Sequence, residues 1–110
     1  MLKFAVINAT ASGDNTIVPA VPNKYIRVLA YTALTDANVT IKWKSNSTDI
    51  SGPMPILASG GLAPSIGQLG TAGYGTFGLC ETEAGQALIL NLSAAANVGG
   101  MITYYLIGQP

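Results

Sequence analysis

The residues that could do chemistry are few, and their types point away from catalysis. Histidine is absent from the 110 residues, which removes the commonest general base and the commonest metal ligand. Cys80 is the single cysteine. It has no histidine for a Cys–His dyad, no companion ligands for zinc, and no partner for an internal disulfide. Glu81 and Glu83 lie two apart and on a strand would share a face, the placement an acid/base couple needs. Set just ahead of Gly85, they read instead as solvated turn acids. Asp36 and Asp49 stand in no dense cluster of oxygen donors, so a calcium loop is not expected. Gly60-Gly61 and Gly99-Gly100 precede no Lys-Ser/Thr pair and sit in no βαβ unit, so they predict tight turns or bulges rather than a phosphate cradle. The Asn-X-Ser/Thr triplets at Asn8, Asn38, Asn46 and Asn91 read as by-products of a composition rich in Asn, Ser and Thr. No catalytic residue, metal ligand or cofactor site is expected, and the chain reads as a non-enzyme.

Aromatic side chains are the remaining candidates, because sugars stack on exposed rings. The set is Tyr25, Tyr31, Tyr74, Tyr104, Tyr105 and Trp43. Trp43 follows Val39 and Ile41 at period two and so belongs to a core-facing row. Tyr104 and Tyr105 are adjacent, so on a strand they must point to opposite faces. One of them is presented outward, to a neighbour, a sugar or solvent.

These residues must be positioned by strands. Period-two alternation bounded by Gly, Pro and Asn recurs along the whole chain. Leu2, Phe4 and Val6 alternate with Lys3, Ala5 and Ile7 in an opening strand, followed by a polar turn over 8–15 and a short strand at Thr16-Ile17-Val18. The longest candidate runs from Lys24 to Leu34. There Ile26, Val28 and Ala30 are expected on one face, and Arg27, Leu29 and Tyr31 on the other. Neither face is fully polar, which predicts one covered by the core and one by a neighbour. Val39, Ile41 and Trp43 then alternate with Thr40, Lys42 and Lys44, placing two lysines toward water. A glycine-rich stretch over 59–75 predicts a long loop, a feature usually functional or packed against a partner. Strands are expected again at Thr76–Cys80, Leu88–Leu92 and Gly99–Ile107, with Glu81–Gln86 as a turn. No window of helical period escapes interruption by Gly or Pro. The prediction is one all-β domain over 1–110, an antiparallel sandwich of jelly-roll type with seven or eight strands.

Composition sharpens the picture. Charged residues make up 9%, against about 25% in an ordinary soluble domain. The surface is therefore supplied by Ser, Thr, Asn, Gly and Ala, which suits a protein packed against copies of itself or a larger body. Five basic residues balance five acidic ones, so neither a nucleic acid nor an anionic membrane surface is an expected partner. The longest apolar run falls far short of the ~20 residues of a membrane helix, and the opening residues do not have the form of a secretory leader.

A resemblance adds to this reading. The residues that carry it are Tyr25–Tyr31, Val39–Ser45, Ser47–Met54, Glu81–Leu88 and Asn91–Ala94. Over about 24–107 the chain resembles small all-β proteins encoded in tailed-phage genomes, and among them the capsid decoration (cement) proteins. The resemblance implies a virion structural protein on the outer surface of the head, a homotrimer at three-fold positions, with the major capsid protein as partner. The segment 62–74 is longer and richer in glycine than that pattern. The candidate interface residues are Tyr31 from the two-sided strand, Leu62, Ile66, Leu69 and Tyr74 from the loop, and Tyr105 from the last strand. The alternatives are a carbohydrate-binding module, with a glycan as ligand, and a tail or neck component of a virion.

Overall fold

The computed structural model describes residues 2–63 and 79–108. Ten strands and no helix occur among them: β1 (Leu2–Ala9), β2 (Gly13–Val18), β3 (Lys24–Thr35), β4 (Val39–Ser45), β5 (Thr48–Asp49), β6 (Met54–Ile56), β7 (Gly61–Leu62), β8 (Cys80–Glu81), β9 (Leu88–Leu92) and β10 (Val98–Gly108). All pairings are antiparallel. One sheet has the order β1-β10-β3-β7, with β8 also on β3; the other has the order β2-β9-β4-β5, with β6 also on β4. The short strands β5 and β6 share one side of β4, and β7 and β8 share one side of β3. Eight places result, in the strand order of a jelly roll. Ten strands replace the seven or eight expected because two-residue ladders are too short to show a period in sequence.

The core lies between the sheets. In the second sheet Ile41 faces Leu92, Trp43 faces Leu90 and Ser45 faces Leu88, all pointing inward. Cross-strand pairs of large apolar side chains such as Ile41–Leu92 and Trp43–Leu90 stabilise a sheet face. Ile7, Ile26, Val28 and Ile102 oppose them from the first sheet. Ser45 is fully buried, and its hydroxyl donates to Gln86 Oε1 at 2.6 Å and accepts from the Glu83 amide at 3.0 Å. Both functions of the buried hydroxyl are thus satisfied.

A β-bulge in β3 overturns the expected facing of Tyr31. In the ladder with β10, Thr103 opposes Ala30 and Tyr104 opposes Val28, which leaves Leu29 without an opposite residue. One extra residue reverses the alternation beyond it. Ile26 and Val28 point inward before the bulge; Tyr31, Ala33 and Thr35 point inward after it. Tyr31 is therefore a core residue, not an interface residue, and Ala30 moves to the outer face.

The glycine pairs meet the expectation of turns and bulges only in part: Gly60 closes a turn, its amide donating to the Leu57 carbonyl at 2.8 Å. Gly61 lies in β7 and Gly99-Gly100 in β10. A Cβ on Gly100 would run into the Thr32 carbonyl, and one on Gly61 into Leu34 and the Ala33 carbonyl. Close backbone approach explains these glycines.

Candidate functional site

The two outer faces of the sandwich have opposite chemistry. On the second sheet, Asp14, Asn91 and Lys42 form one cross-strand row and Thr16, Ile89 and Lys44 the next. Lys44 Nζ lies 3.1 Å from Asp14 Oδ1, Asn91 Nδ2 donates to the same oxygen at 2.7 Å, and Lys42 pairs with Asp49 at 3.1 Å. The amide and the ammonium together hold the Asp14 carboxyl below its ordinary pKa, the Asn91 hydrogen bond contributing most. This face is ionic, and both lysines lie on it as expected, Lys42 about one-third exposed and Lys44 largely covered in its pair with Asp14.

On the first sheet the outer rows are Val6, Met101 and Thr32, then Phe4, Thr103 and Ala30. Leu34 stands next to Thr32's row, opposite Gly99. Phe4 is 74% exposed, Val6 75%, Met101 65% and Leu34 58%. No charged residue belongs to these rows. Charge enters only at one end, where Arg27 pairs with Glu81 at 2.7 Å beside Tyr105. Monomeric surfaces rarely hold contiguous apolar patches beyond roughly 300–600 Å², and such patches are commonly functional. The four side chains share one sheet face, and three of them stand on neighbouring strands in adjacent rows.

Several expected site residues take other places. Leu62 is in β7 and packs against the core, because its partner in the ladder is the inward-facing Ala33. Glu81 is a strand residue ion-paired to Arg27, not a solvated turn acid. Tyr104 and Leu106 pack against the core, which leaves Tyr105 on the outer face, as one of the two adjacent tyrosines had to be. Ile66, Leu69 and Tyr74, together with Thr76, Phe77 and Gly78, lie outside the described residues. Phe4, Val6, Met101 and Leu34 were legible only as strand residues. Their signal was the apolar content of both faces of the first, third and last strands.

A cleft of about 330 Å³ opens between the sheets and is lined by Tyr31, Trp43, Ile50, Met54, Leu79 and Cys80. Tyr31 donates to Met54 Sδ at 3.6 Å, and burial raises its phenol pKa against the opposing influence of the Trp43 indole. The indole N–H itself meets no acceptor with hydrogen-bond geometry among the described residues. Burial pushes the Cys80 thiol up to about 11, so it carries no thiolate at neutral pH. A second, shallow cavity of about 350 Å³ at one end of the sandwich is lined by Thr10, Asp36, Ala37 and Ala95–Asn97. There the Asn97 amide and side chain bind the Asp36 carboxylate at 2.9 and 2.7 Å and lower its pKa. Among the described residues no group of three or more Cys, Asp or Glu side chains is placed to hold a metal ion.

No family model, curated protein or solved structure matches the chain.

Proposed function

We propose that the chain is a non-enzymatic structural protein of a phage virion, a decoration protein that lays the outer face of its first sheet on the major capsid protein. The observation that carries this reading is the opposition of the two faces. An apolar, charge-free face can be buried without stripping water from ions, while the ionic face of Lys42, Lys44, Asp14 and Asp49 stays solvated. Repetition over equivalent sites of a shell multiplies a weak contact into a stable one. The jelly roll recurs in viral capsid and lectin domains, a likeness of fold and not of function. The homotrimer at three-fold positions belongs to the same proposal.

The test is cosedimentation of the purified chain with empty capsids of the phage that carries it. Val6→Asp with Met101→Asp should abolish binding, and Lys42→Ser should leave it unchanged. Absence of binding by the unaltered chain, or binding unaffected by the paired substitution, overturns the reading. Binding to tails or necks but not heads moves the site within the particle.

A second reading, a carbohydrate-binding module, is favoured by one observation. Phe4 and Tyr105 are diagonal neighbours on the same outer face, since Phe4 opposes Thr103 in the ladder. Binding of a bacterial glycan that is lost in Tyr105→Ala would select it.

A further inference from the structure

Among the described residues, each sheet ends in one unpaired edge on the same side of the sandwich. β1 ends the first sheet and β2 ends the second, and residues 10–12 join them. A strand edge presents unpaired N–H and C=O groups, and proteins ordinarily blunt it with bulges, charge, proline or covering side chains. β2 carries such devices. Ile17 is bulged out of the ladder with β9, Asp14 is charged, and Pro19 follows the strand. The Asn15 side chain also folds back along its own strand, donating to the Ala11 carbonyl at 2.9 Å and the Gly13 carbonyl at 3.1 Å.

β1 carries almost none of them. It pairs with β10 over all eight residues with no shift of register. From Phe4 to Ala9 it holds no proline, no glycine and no charge, and Lys3 at its start is the lone ionic group. Its far side has no backbone partner among the described residues. Phe4 and Val6 point to the outer face beside this edge and are three-quarters exposed.

We infer that β1 is a self-pairing edge: the β1 strands of two copies join antiparallel about a two-fold axis and merge the two first sheets into one. A second copy fits because the edge is complementary to itself. With Ala5 opposite Ala5 of the other copy, each Phe4 faces a Val6, giving two aromatic/β-branched cross-strand pairs on the outer face. No like charges meet within that register, as each Lys3 stands opposite an Ile7. One isologous axis satisfies both edges at once, the commonest symmetry of soluble oligomers. This contact goes beyond the function proposed above, since it does not depend on what the outer face binds; it is a two-fold alternative to the three-fold association named there, and it makes that apolar face continuous across the pair.

The test uses the full chain in solution. Light scattering from micromolar to millimolar concentration reads the mass, and amide exchange by NMR reads β1 residue by residue. The expected result is a mass rising toward twice 11.2 kDa, with protection gained at alternate β1 amides, those facing away from β10. Phe4→Lys with Val6→Lys, at two exposed positions, should weaken the pair at least about tenfold, while Thr16→Lys on β2 should not. A monomer at every concentration overturns the inference. So does a closed trimer, or any oligomer in which those β1 amides exchange as freely as in the monomer. Loss of capsid binding with the dimer intact would instead count against the function proposed above.

Discussion

Tyr31 and Trp43 meet edge to face in the core, with ring centroids 5.1 Å apart and planes inclined by 72°. The two residues come from different sheets, β3 and β4, so the contact ties the layers of the sandwich together. Edge-to-face pairs of this kind add roughly 0.5–1.5 kcal/mol to the area they bury. The pair exists only because the bulge at Leu29 turns Tyr31 inward.

Trp43→Ala and Tyr31→Ala should therefore each cost about 3–5 kcal/mol, the range for removing a large aromatic from a core. Urea denaturation followed by circular dichroism checks this. For Tyr31 a change within about 0.5 kcal/mol, the size of an ordinary surface substitution, would return it to the outer face and remove the bulge from the description. The double variant should lose less than the sum of the two, because neighbours in contact are not additive.

Gly100→Ala tests the close approach of β10 to β3. The added methyl would meet the Thr32 carbonyl, which belongs to the neighbouring strand and cannot rotate away. The expected loss is about 1–3 kcal/mol or more, as for other overpacked sites. Gly13→Ala has open space at the same methyl but a positive φ of 91°, so its penalty is conformational and should be smaller, about 1 kcal/mol. Thermal melts of the two variants should rank in that order.

Thr82 extends the pairing of β8 on β3 with its side chain. The Ile26 amide donates to Thr82 Oγ1 at 2.9 Å, and the Thr82 amide donates to the Ile26 carbonyl at the same distance. Thr82→Val keeps the shape and removes the acceptor, leaving a buried N–H unpaired. A loss of about 1–3 kcal/mol is expected. Faster exchange of the Ile26 amide would locate the effect.

Acid should destabilise the chain in a narrow range. Asp14 and Asp36 both titrate below their ordinary value in the folded state, chiefly through the hydrogen bonds from Asn91 and from Asn97. The unfolded chain then binds more protons than the folded one at low pH. Their contribution is present above the ordinary carboxylate range near pH 4 and is lost as pH falls through the folded values. The urea midpoint should drop below about pH 4 and change little between pH 6 and 8 on their account. Asp36→Asn with Asp14→Asn should flatten the acid limb of that profile.

How much of this was legible in the sequence depends on the range of the interaction involved. Alternation in 39–45 is a local property of a strand with one buried face, so Trp43 could be placed inward without coordinates. The jelly-roll class followed from the spacing of such segments, and the scarcity of charge followed from composition alone. The facing of Tyr31 did not, because a bulge is defined by the partner strand. Nothing in Lys24–Leu34 taken by itself marks Leu29 as the residue that β10 leaves unopposed. Leu62 and Glu81 were misplaced for the same reason: two-residue ladders on β3 are created by β3, not by their own propensity. The candidate site is the clearest case. Phe4, Val6, Met101 and Leu34 come from the first, last and third strands, and only the β1-β10-β3 order brings them onto one face. Local periodicity sets which residues alternate. Long-range pairing decides which of the alternating rows become neighbours, and so which face is left apolar and open.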